Sequence, residues 1–183
     1  YTFSVLKKKN IDVDYSRNLN KKQIQNADFI ILTSSIISHE TEVNVLKRIT
    51  EEFNKKVFVV GIFANTMKKN YEFNNSFIVP GEPEFFFDAL EPNQDSYNNF
   101  FGDNKKLFQQ KISSDVSSLP YPDWAYYVKK YPLKNNFLGF NSKIAIPLLA
   151  TRGCPYSCFN YCTYPLQQGR KVRSRSADDV VEE

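Results

Sequence analysis

Short apolar runs alternate along this chain with polar stretches, and the alternation predicts an α/β fold. Two continuous apolar runs, Ala27–Thr33 and Lys56–Phe63, are typical of strands that are buried on both faces of a sheet. Between them, Glu40–Asn54 carries apolar residues mostly at helical spacing, as an amphipathic helix does. A strand, a helix and a second strand in this order predict a Rossmann-like parallel sheet covered by helices.

Shorter elements flank this unit. Phe77–Val79 predicts a third strand, and the turn Pro80–Pro83 leads into a helix from about Glu84 to Leu90, because proline and acidic residues suit a helix N-terminus. The further predictions are the end of a helix over Tyr1–Lys9, a short strand over Ile11–Tyr15, a polar connection over Lys21–Asn26 and a helix cap at Ser176.

Three stretches follow the predicted parallel strands at their carboxyl ends. They are Thr33–Ser35, Gly61–Asn65 and Gly81–Glu82. Ligands of open α/β sheets bind beyond this edge, so these stretches are the candidate binding residues of the first unit.

A further apolar run, Ile144–Ala150, predicts a buried strand that leads into Thr151–Pro165. The segment Thr151–Pro165, called the cysteine segment below, holds all three cysteines of the chain, Cys154, Cys158 and Cys162. Thiolates bind zinc and iron–sulfur clusters. A structural zinc site generally has four ligands, and the single histidine lies far away in the sequence. The spacing indicates a metal or cluster site, and a non-catalytic zinc or redox-sensing loop is the other interpretation.

Composition narrows the class of protein. The net charge of +4 comes from lysines and arginines that are scattered along the chain, which argues against a nucleic-acid-binding stripe. The basic run Arg170–Arg175 is, on this view, a solvated face. No apolar run approaches the ~20 residues of a membrane span, so we expect no membrane partner. Three clustered cysteines make no disulfide framework and fit a reducing compartment, which predicts a cytoplasmic location.

The cysteine segment and its downstream flank carry a resemblance to a known family. Residues 144–183 resemble the start of a radical S-adenosylmethionine (SAM) domain. The resemblance rests on the sequence TRGCPYSC, the third cysteine and the downstream sequence GRKVRSRSADDVVEE. The resemblance implies that Cys154, Cys158 and Cys162 ligate a [4Fe–4S] cluster, whose open iron chelates SAM and supplies the electron that cleaves it to a 5′-deoxyadenosyl radical. It also implies that Tyr161 lies against the adenine and that Gly153 allows close backbone approach.

The spacing departs from the family pattern at one place. Three residues separate Cys158 from Cys162, where the family has two. We therefore expect that Cys154 and Cys158 keep the usual geometry and that the backbone bulges between the last two cysteines.

The first unit resembles the cobalamin-binding domain that precedes the radical SAM barrel in one large subfamily, over residues 1–130. The resemblance rests on a strand that ends in small hydroxyl residues, a strand that ends in glycine, a Gly-Glu-x-Glu turn before a helix, and the connecting sequence LPYPDW. By this resemblance the cobalamin-binding residues are Ser34, Ser35, Gly61, Gly81 and Glu82. Ile62 stands where the family has a second glycine.

Together these resemblances imply three parts: a cobalamin-binding-like domain over residues 1–92, a linker over 93–143, and the first β-α element of a truncated partial (β/α) barrel over 144–183. Residue 1 is not methionine and the last residues fall inside a predicted helix, so we expect a piece of a longer protein that is inactive alone.

The implied function is that of a cobalamin-dependent radical SAM enzyme, with a methyltransferase as one possibility for the intact protein. It implies a small-molecule substrate and an electron donor such as flavodoxin or ferredoxin. A radical SAM methylthiotransferase also places an α/β domain first, but that domain carries cluster cysteines, and residues 1–150 contain none.

Overall fold

The computed structural model describes residues 1–18, 20–90, 112–131, 146–156, 158 and 162–183. Its centre is a three-stranded parallel sheet, which confirms the predicted α/β class and is consistent with a Rossmann-like fold. The strands are β1 (Phe29–Thr33), β2 (Lys56–Val60) and β3 (Ser76–Ile78), in the spatial order β1-β2-β3. Phe29 pairs with Lys56 at the start of β1, and Val57 pairs with Ser76 at the start of β3.

Helices connect and cover these strands. In chain order the described helices are α1 (Thr2–Lys8), α2 (Lys21–Asn26), α3 (His39–Glu52), α4 (Ile62–Thr66), α5 (Pro83–Asp88), α6 (Trp124–Lys130), α7 (Tyr164–Gln168) and α8 (Ala177–Glu182), with a 3-10 turn at Lys68–Tyr71. Side-chain oxygens of Asn20, Asp123 and Ser176 accept hydrogen bonds from backbone N–H groups in the first turns of α2, α6 and α8. The predicted cap at Ser176 is therefore confirmed.

Strand β2 divides the hydrophobic core into two layers because successive side chains point to opposite faces. Phe58 and Val60 face the layer that holds Leu6 of α1 and Phe87 of α5. On the other face, Val57 and Val59 join a layer with side chains of α2, α3 and α4, among them Ile24, Leu46 and Ala64. A sheet covered on both faces explains why the sequence of β2 is apolar throughout.

The cysteine segment is attached to a second, two-stranded sheet. Its strands β4 (Thr151–Arg152) and β5 (Arg173–Ser174) are antiparallel, with Thr151 opposite Ser174 and Arg152 opposite Arg173. The chain between them contains the cysteines and α7. The two flanks of the cysteine segment thus lie side by side, although about twenty residues separate them in sequence.

Two of the predicted strands are wrong over the residues that the structure describes. Ile11–Tyr15 forms no strand, although Ile11 and Val13 pack against the core layer under α1 and α5. Residues 146–150 are also not a strand, and Ile146 and Leu148 are exposed. An apolar pattern does not by itself form a strand, because the backbone of a strand needs a partner for its hydrogen bonds. Pro147, which has no N–H to donate, works against such pairing.

Four of the described α-helices were not predicted: α2, α4, α6 and α7. Lys21–Asn26, interpreted as a polar connection, is α2. The predicted strand Lys56–Phe63 ends at Val60, and α4 begins at Ile62. Gly61 has φ +112°, a conformation that side chains with a Cβ rarely adopt, and this residue turns the apolar run from strand to helix.

The sequence LPYPDW contacts two parts of the molecule, helices α8 and α1. The Tyr121 hydroxyl donates a 2.8 Å hydrogen bond to Asp179 of α8. The Asp123 backbone N–H donates to Ser4 Oγ, and its carboxylate accepts a 2.8 Å hydrogen bond from Lys7 Nζ, both on α1.

Most of the predicted linker, residues 93–111 and 132–143, lies outside the described residues. No helix in the described ranges has the length and apolar character that crossing a bilayer requires.

Candidate functional site

The neck of the cysteine loop is the place where Gly153 and Cys154 lie against Gly169 and Lys171, and close backbone contacts fix it. Gly153 has φ +96°, and a Cβ at this position would lie 2.1 Å from the Lys171 carbonyl oxygen. The Cys154 N–H donates a 3.1 Å hydrogen bond to the Gly169 carbonyl. Only glycine permits this approach of the two flanks, and the predicted role of Gly153 beside the cofactor stays a prediction.

The three thiols are all free. Cys154 and Cys162 are half-buried, and Cys158 is exposed. Cysteine thiolates are the donor type that holds iron–sulfur clusters, so the chemistry of these three side chains fits such a cofactor. Within the described ranges, no three cysteine, histidine or acidic side chains already form a group that would hold a metal ion. Residues 159–161 lie outside the described part, so the predicted bulge and the role of Tyr161 stay predictions.

Arg152, two residues before the first cysteine, is buried and reaches into the first unit. Its guanidinium donates to both oxygens of Glu84, with Nη2 3.0 Å from Oε1 and Nη1 3.2 Å from Oε2. Nη1 also donates to Glu82 Oε1 at 3.2 Å. Burial opposes the charge on Arg152, but the hydrogen bonds and charge of Glu84 outweigh it, so the pKa of Arg152 lies above its usual value.

Arg173, on the other flank of the loop, binds the second carboxylate. Its Nη1 and Nη2 lie 2.7 and 2.9 Å from the two oxygens of Glu82. The same guanidinium donates to the carbonyls of Gln168, at 2.5 Å, and Ser113, at 2.6 Å. Glu82 is 1% exposed and also accepts from the Ser113 N–H. Two buried carboxylates therefore meet two buried guanidiniums, and the charges balance.

The view of Arg170–Arg175 as a solvated face is wrong for Arg173 and Arg175, which are both buried, while Arg170 and Lys171 are exposed. The signal that could have identified the partners lies in the turn Gly81–Glu84. Two acidic residues beside an apolar helix must be paired if they are buried, and bidentate arginine is the usual partner.

At the carboxyl end of β1, Ser34 is buried against Gly61. The Ser34 N–H donates to the Val60 carbonyl at 2.7 Å, and its hydroxyl accepts from the Ala64 N–H at 2.9 Å. A Cβ on Gly61 would lie 2.7 Å from the Ser34 carbonyl oxygen. The structure thus brings two of the predicted cobalamin-binding residues together, with the Ser34 hydroxyl already bonded to protein.

Ser35 is held by an acidic residue of α3. Its N–H and its hydroxyl both donate to the Glu42 carboxylate, at 2.9 and 3.0 Å. The Tyr71 hydroxyl donates to the same carboxylate at 3.2 Å. Burial, together with the charge of Glu42, raises the pKa of Tyr71 to about 12. The next residues, Ile36 and Ile37, are apolar and exposed at this edge of the sheet.

The cysteine segment also contacts this edge through helices, since α7 packs against α4. In α4, Asn65 Nδ2 donates to the carbonyls of Gly61, at 2.9 Å, and Val79, at 3.2 Å. Its Oδ1 is buried and accepts no hydrogen bond from the described residues. The carboxyl ends of β2 and β3, helix α7 and both flanks of the cysteine loop therefore form one continuous region.

Comparison with known proteins gives a distant relative. The chain is 24% identical over 161 residues to bacteriochlorophyllide d C-12(1)-methyltransferase from Chlorobaculum tepidum. The alignment includes 85% of this chain and 31% of that protein, so the chain spans less than a third of the length of the curated relative it matches. No protein-family model matches the chain, and no solved structure matches it significantly.

Proposed function

We propose that this chain belongs to a cobalamin-dependent radical SAM methyltransferase that acts on a small-molecule acceptor in the cytoplasm. The observation that carries the proposal is the position of the three free thiols. They lie on one loop, and both flanks of that loop are attached to the carboxyl edge of a parallel sheet, where α/β proteins bind ligands. The distant similarity to a methyltransferase supports the type of reaction.

In this proposal Cys154, Cys158 and Cys162 hold the [4Fe–4S] cluster. When bound, the cluster supplies the electron that cleaves SAM. The protein's share is to fix the loop: Gly153 brings the two flanks into contact, and the Cys154 N–H is bonded to the Gly169 carbonyl. A loop with a fixed neck places its thiols over a limited region and reduces the entropy lost when they bind the metal.

The residues at the sheet edge fit cobalamin through apolar surface more than through hydroxyl groups. Ser34 and Ser35 are already hydrogen-bonded to protein, whereas Ile36 and Ile37 are 71% and 94% exposed and offer an apolar face. Gly81, with φ +79°, and Glu82 shape the turn beside this edge. Cobalamin bound at this edge would supply the methyl-carrying group of the reaction.

Anaerobic reconstitution with iron and sulfide tests the cluster. We expect about four iron and four sulfide per chain and a broad iron–sulfur absorbance band, because the resemblance to radical SAM domains implies one [4Fe–4S] cluster on these three thiolates. Cys154→Ser, Cys158→Ser and Cys162→Ser should each lose most of the iron, and Thr163→Ala, beside the last cysteine, serves as the matched control.

Zinc bound by the same thiols without iron would overturn the proposal and favour the zinc or redox-sensing loop. In the same samples, retention of hydroxocobalamin through gel filtration tests the second cofactor. Failure to retain it would remove cobalamin from the proposal and leave the cluster in place.

A further inference from the structure

Two carboxylates of the first unit contact both flanks of the cysteine loop. Glu84 forms a bidentate pair with Arg152, two residues before Cys154. Glu82 forms a bidentate pair with Arg173, whose guanidinium also binds the carbonyl of Gln168 at the end of α7. Both flanks of the cysteine loop therefore contact one turn of the first unit, Gly81–Glu84.

The contacts are directional as well as charged. Each arginine presents two N–H groups to two oxygens of one carboxylate, and this geometry fixes the orientation of the pair as well as its distance. Arg152 also links the pairs through its 3.2 Å contact with Glu82. Since all four side chains are buried, water cannot replace a lost partner, and the arrangement resists small displacements.

We propose that Glu82 and Glu84 are positioning residues that hold both flanks of the cysteine loop at the carboxyl edge of the parallel sheet. They act through Arg152 and Arg173 on the placement of the thiols. The proposal deepens the proposed function, because it concerns the same thiols, but its test requires neither iron nor cobalamin.

The test is the alkylation rate of each cysteine in the metal-free, reduced chain, measured with N-ethylmaleimide and peptide mass spectrometry. Glu82→Gln and Glu84→Gln should raise the rate at the half-buried Cys154 by about tenfold, since each removes charge-assisted hydrogen bonds that hold the neck. Cys158 is already exposed, so its rate should stay within about twofold of the wild-type rate and serves as an internal reference.

Two controls separate positioning from a loss of stability. Glu52→Gln makes the same chemical change in the exposed pair of Glu52 with Arg48 and should leave all rates unchanged. Leu46→Ala destabilises the core layer on the other face of the sheet without touching the network. At a temperature where circular dichroism shows it folded, this variant should leave the rate at Cys154 close to the wild-type value.

Arg152→Lys keeps the charge and loses the bidentate geometry, so we expect a rate at Cys154 between those of the wild type and Glu84→Gln. If Glu82→Gln is unfolded, Glu84→Gln decides, because it leaves the pair of Glu82 and Arg173 intact. An unchanged rate at Cys154 in a folded Glu84→Gln chain would overturn the proposal. So would an equal increase in Leu46→Ala. If the rates change as expected while reconstitution yields no iron, the positioning proposal stands and the cluster proposal fails.

Discussion

Gly153 illustrates how one residue limits the geometry of the cysteine loop. Its φ of +96° is disfavoured for a residue with a side chain, and the Lys171 carbonyl occupies the place of a Cβ. The obstacle is backbone of the paired flank, which cannot rotate away. By contrast Gly169, at φ +78° on the other side of the neck, would direct a Cβ toward the flexible side chain of Ile112, at 3.1 Å.

The two glycines therefore give a matched pair of substitutions. We expect Gly169→Ala to lower the free energy of unfolding by about 1–3 kcal/mol, because φ +78° with ψ 172° is a backbone region that residues with a Cβ rarely adopt. Gly153→Ala adds a backbone clash and should cost about 3 kcal/mol or more. Urea unfolding followed by circular dichroism measures both, and equal costs for the two variants would contradict the steric role of Gly153.

Glu82 shows what the sequence can and cannot provide at a single position. Its place in a Gly-Glu-Pro-Glu turn before α5 was predictable, since proline and acidic residues mark a helix N-terminus. The two arginines that bind it lie 70 and 91 residues further along the chain. No local pattern specifies pairs at that separation. The assignment of Glu82 to cobalamin stays a prediction, and the structure adds that its carboxylate is fully engaged with arginine.

At the scale of elements, α6 is attached to α1 by polar and aromatic contacts. Asp123 caps α6 and pairs with Lys7, while Tyr126 stacks on Phe3 with ring centroids 5.0 Å apart. The hydrogen bond from Lys7 and that from the Tyr126 N–H hold the pKa of Asp123 below its ordinary value of 3.8. The negative charge of Asp123 therefore contributes to the stability of the folded chain.

The sign of the resulting pH dependence follows from the lowered pKa. The contribution is complete above the pKa of Asp123 in the unfolded chain and is lost as the pH falls through its lower, folded value. Asp123→Asn keeps a good helix cap and removes the charge. We expect a loss below about 1 kcal/mol at pH 7, since the pair is partly exposed.

The difference between wild type and Asp123→Asn should shrink as the pH falls below about 4. Thermal unfolding at a series of pH values measures it. Glu52→Gln, in an exposed pair within α3, is the control for general charge effects. A difference that grows toward low pH would contradict the assignment.

Element prediction succeeded where side-chain pattern and backbone pairing agree. Strands β1 to β3 come from continuous apolar runs and form the sheet. Helix α3 has apolar residues at helical spacing and covers one face of the sheet. The missed helix α2 carried a signal in Asn20, whose side chain accepts from the Gln23 N–H. Helix α4 continues the apolar run of β2, and only the backbone conformation of Gly61 separates the two.

At the scale of the whole molecule, contacts between distant segments connect the described parts. Helix α1 packs against α5, LPYPDW joins α1 to α8, and the buried arginines join the cysteine loop to the turn after β3. The sequence predicts the sheet from local patterns, but it contains no comparable signal for these long-range connections. The cysteine loop was recognisable from spacing and flanks, while its attachment to the sheet required three-dimensional information.

These connections predict cooperative unfolding. Trp124 is the single tryptophan, and its indole Nε1 is buried, so its fluorescence reports on the attachment of α6. We expect the urea transition seen by Trp124 fluorescence to coincide with the transition seen by far-ultraviolet circular dichroism. Trp124→Phe supplies the fluorescence blank. Two separated transitions would show that α6 and the sheet unfold independently.

The buried arginine–glutamate network also has a consequence for how this sequence can change over generations. Glu84 shares its two oxygens with Arg152 alone among the described side chains, so the two positions could be replaced together by a matched apolar pair. Glu82 accepts hydrogen bonds from both arginines, so a substitution there leaves Arg173 without its carboxylate and Arg152 with Glu84 alone. Among related sequences, we expect positions 84 and 152 to vary in concert and position 82 to tolerate the least exchange.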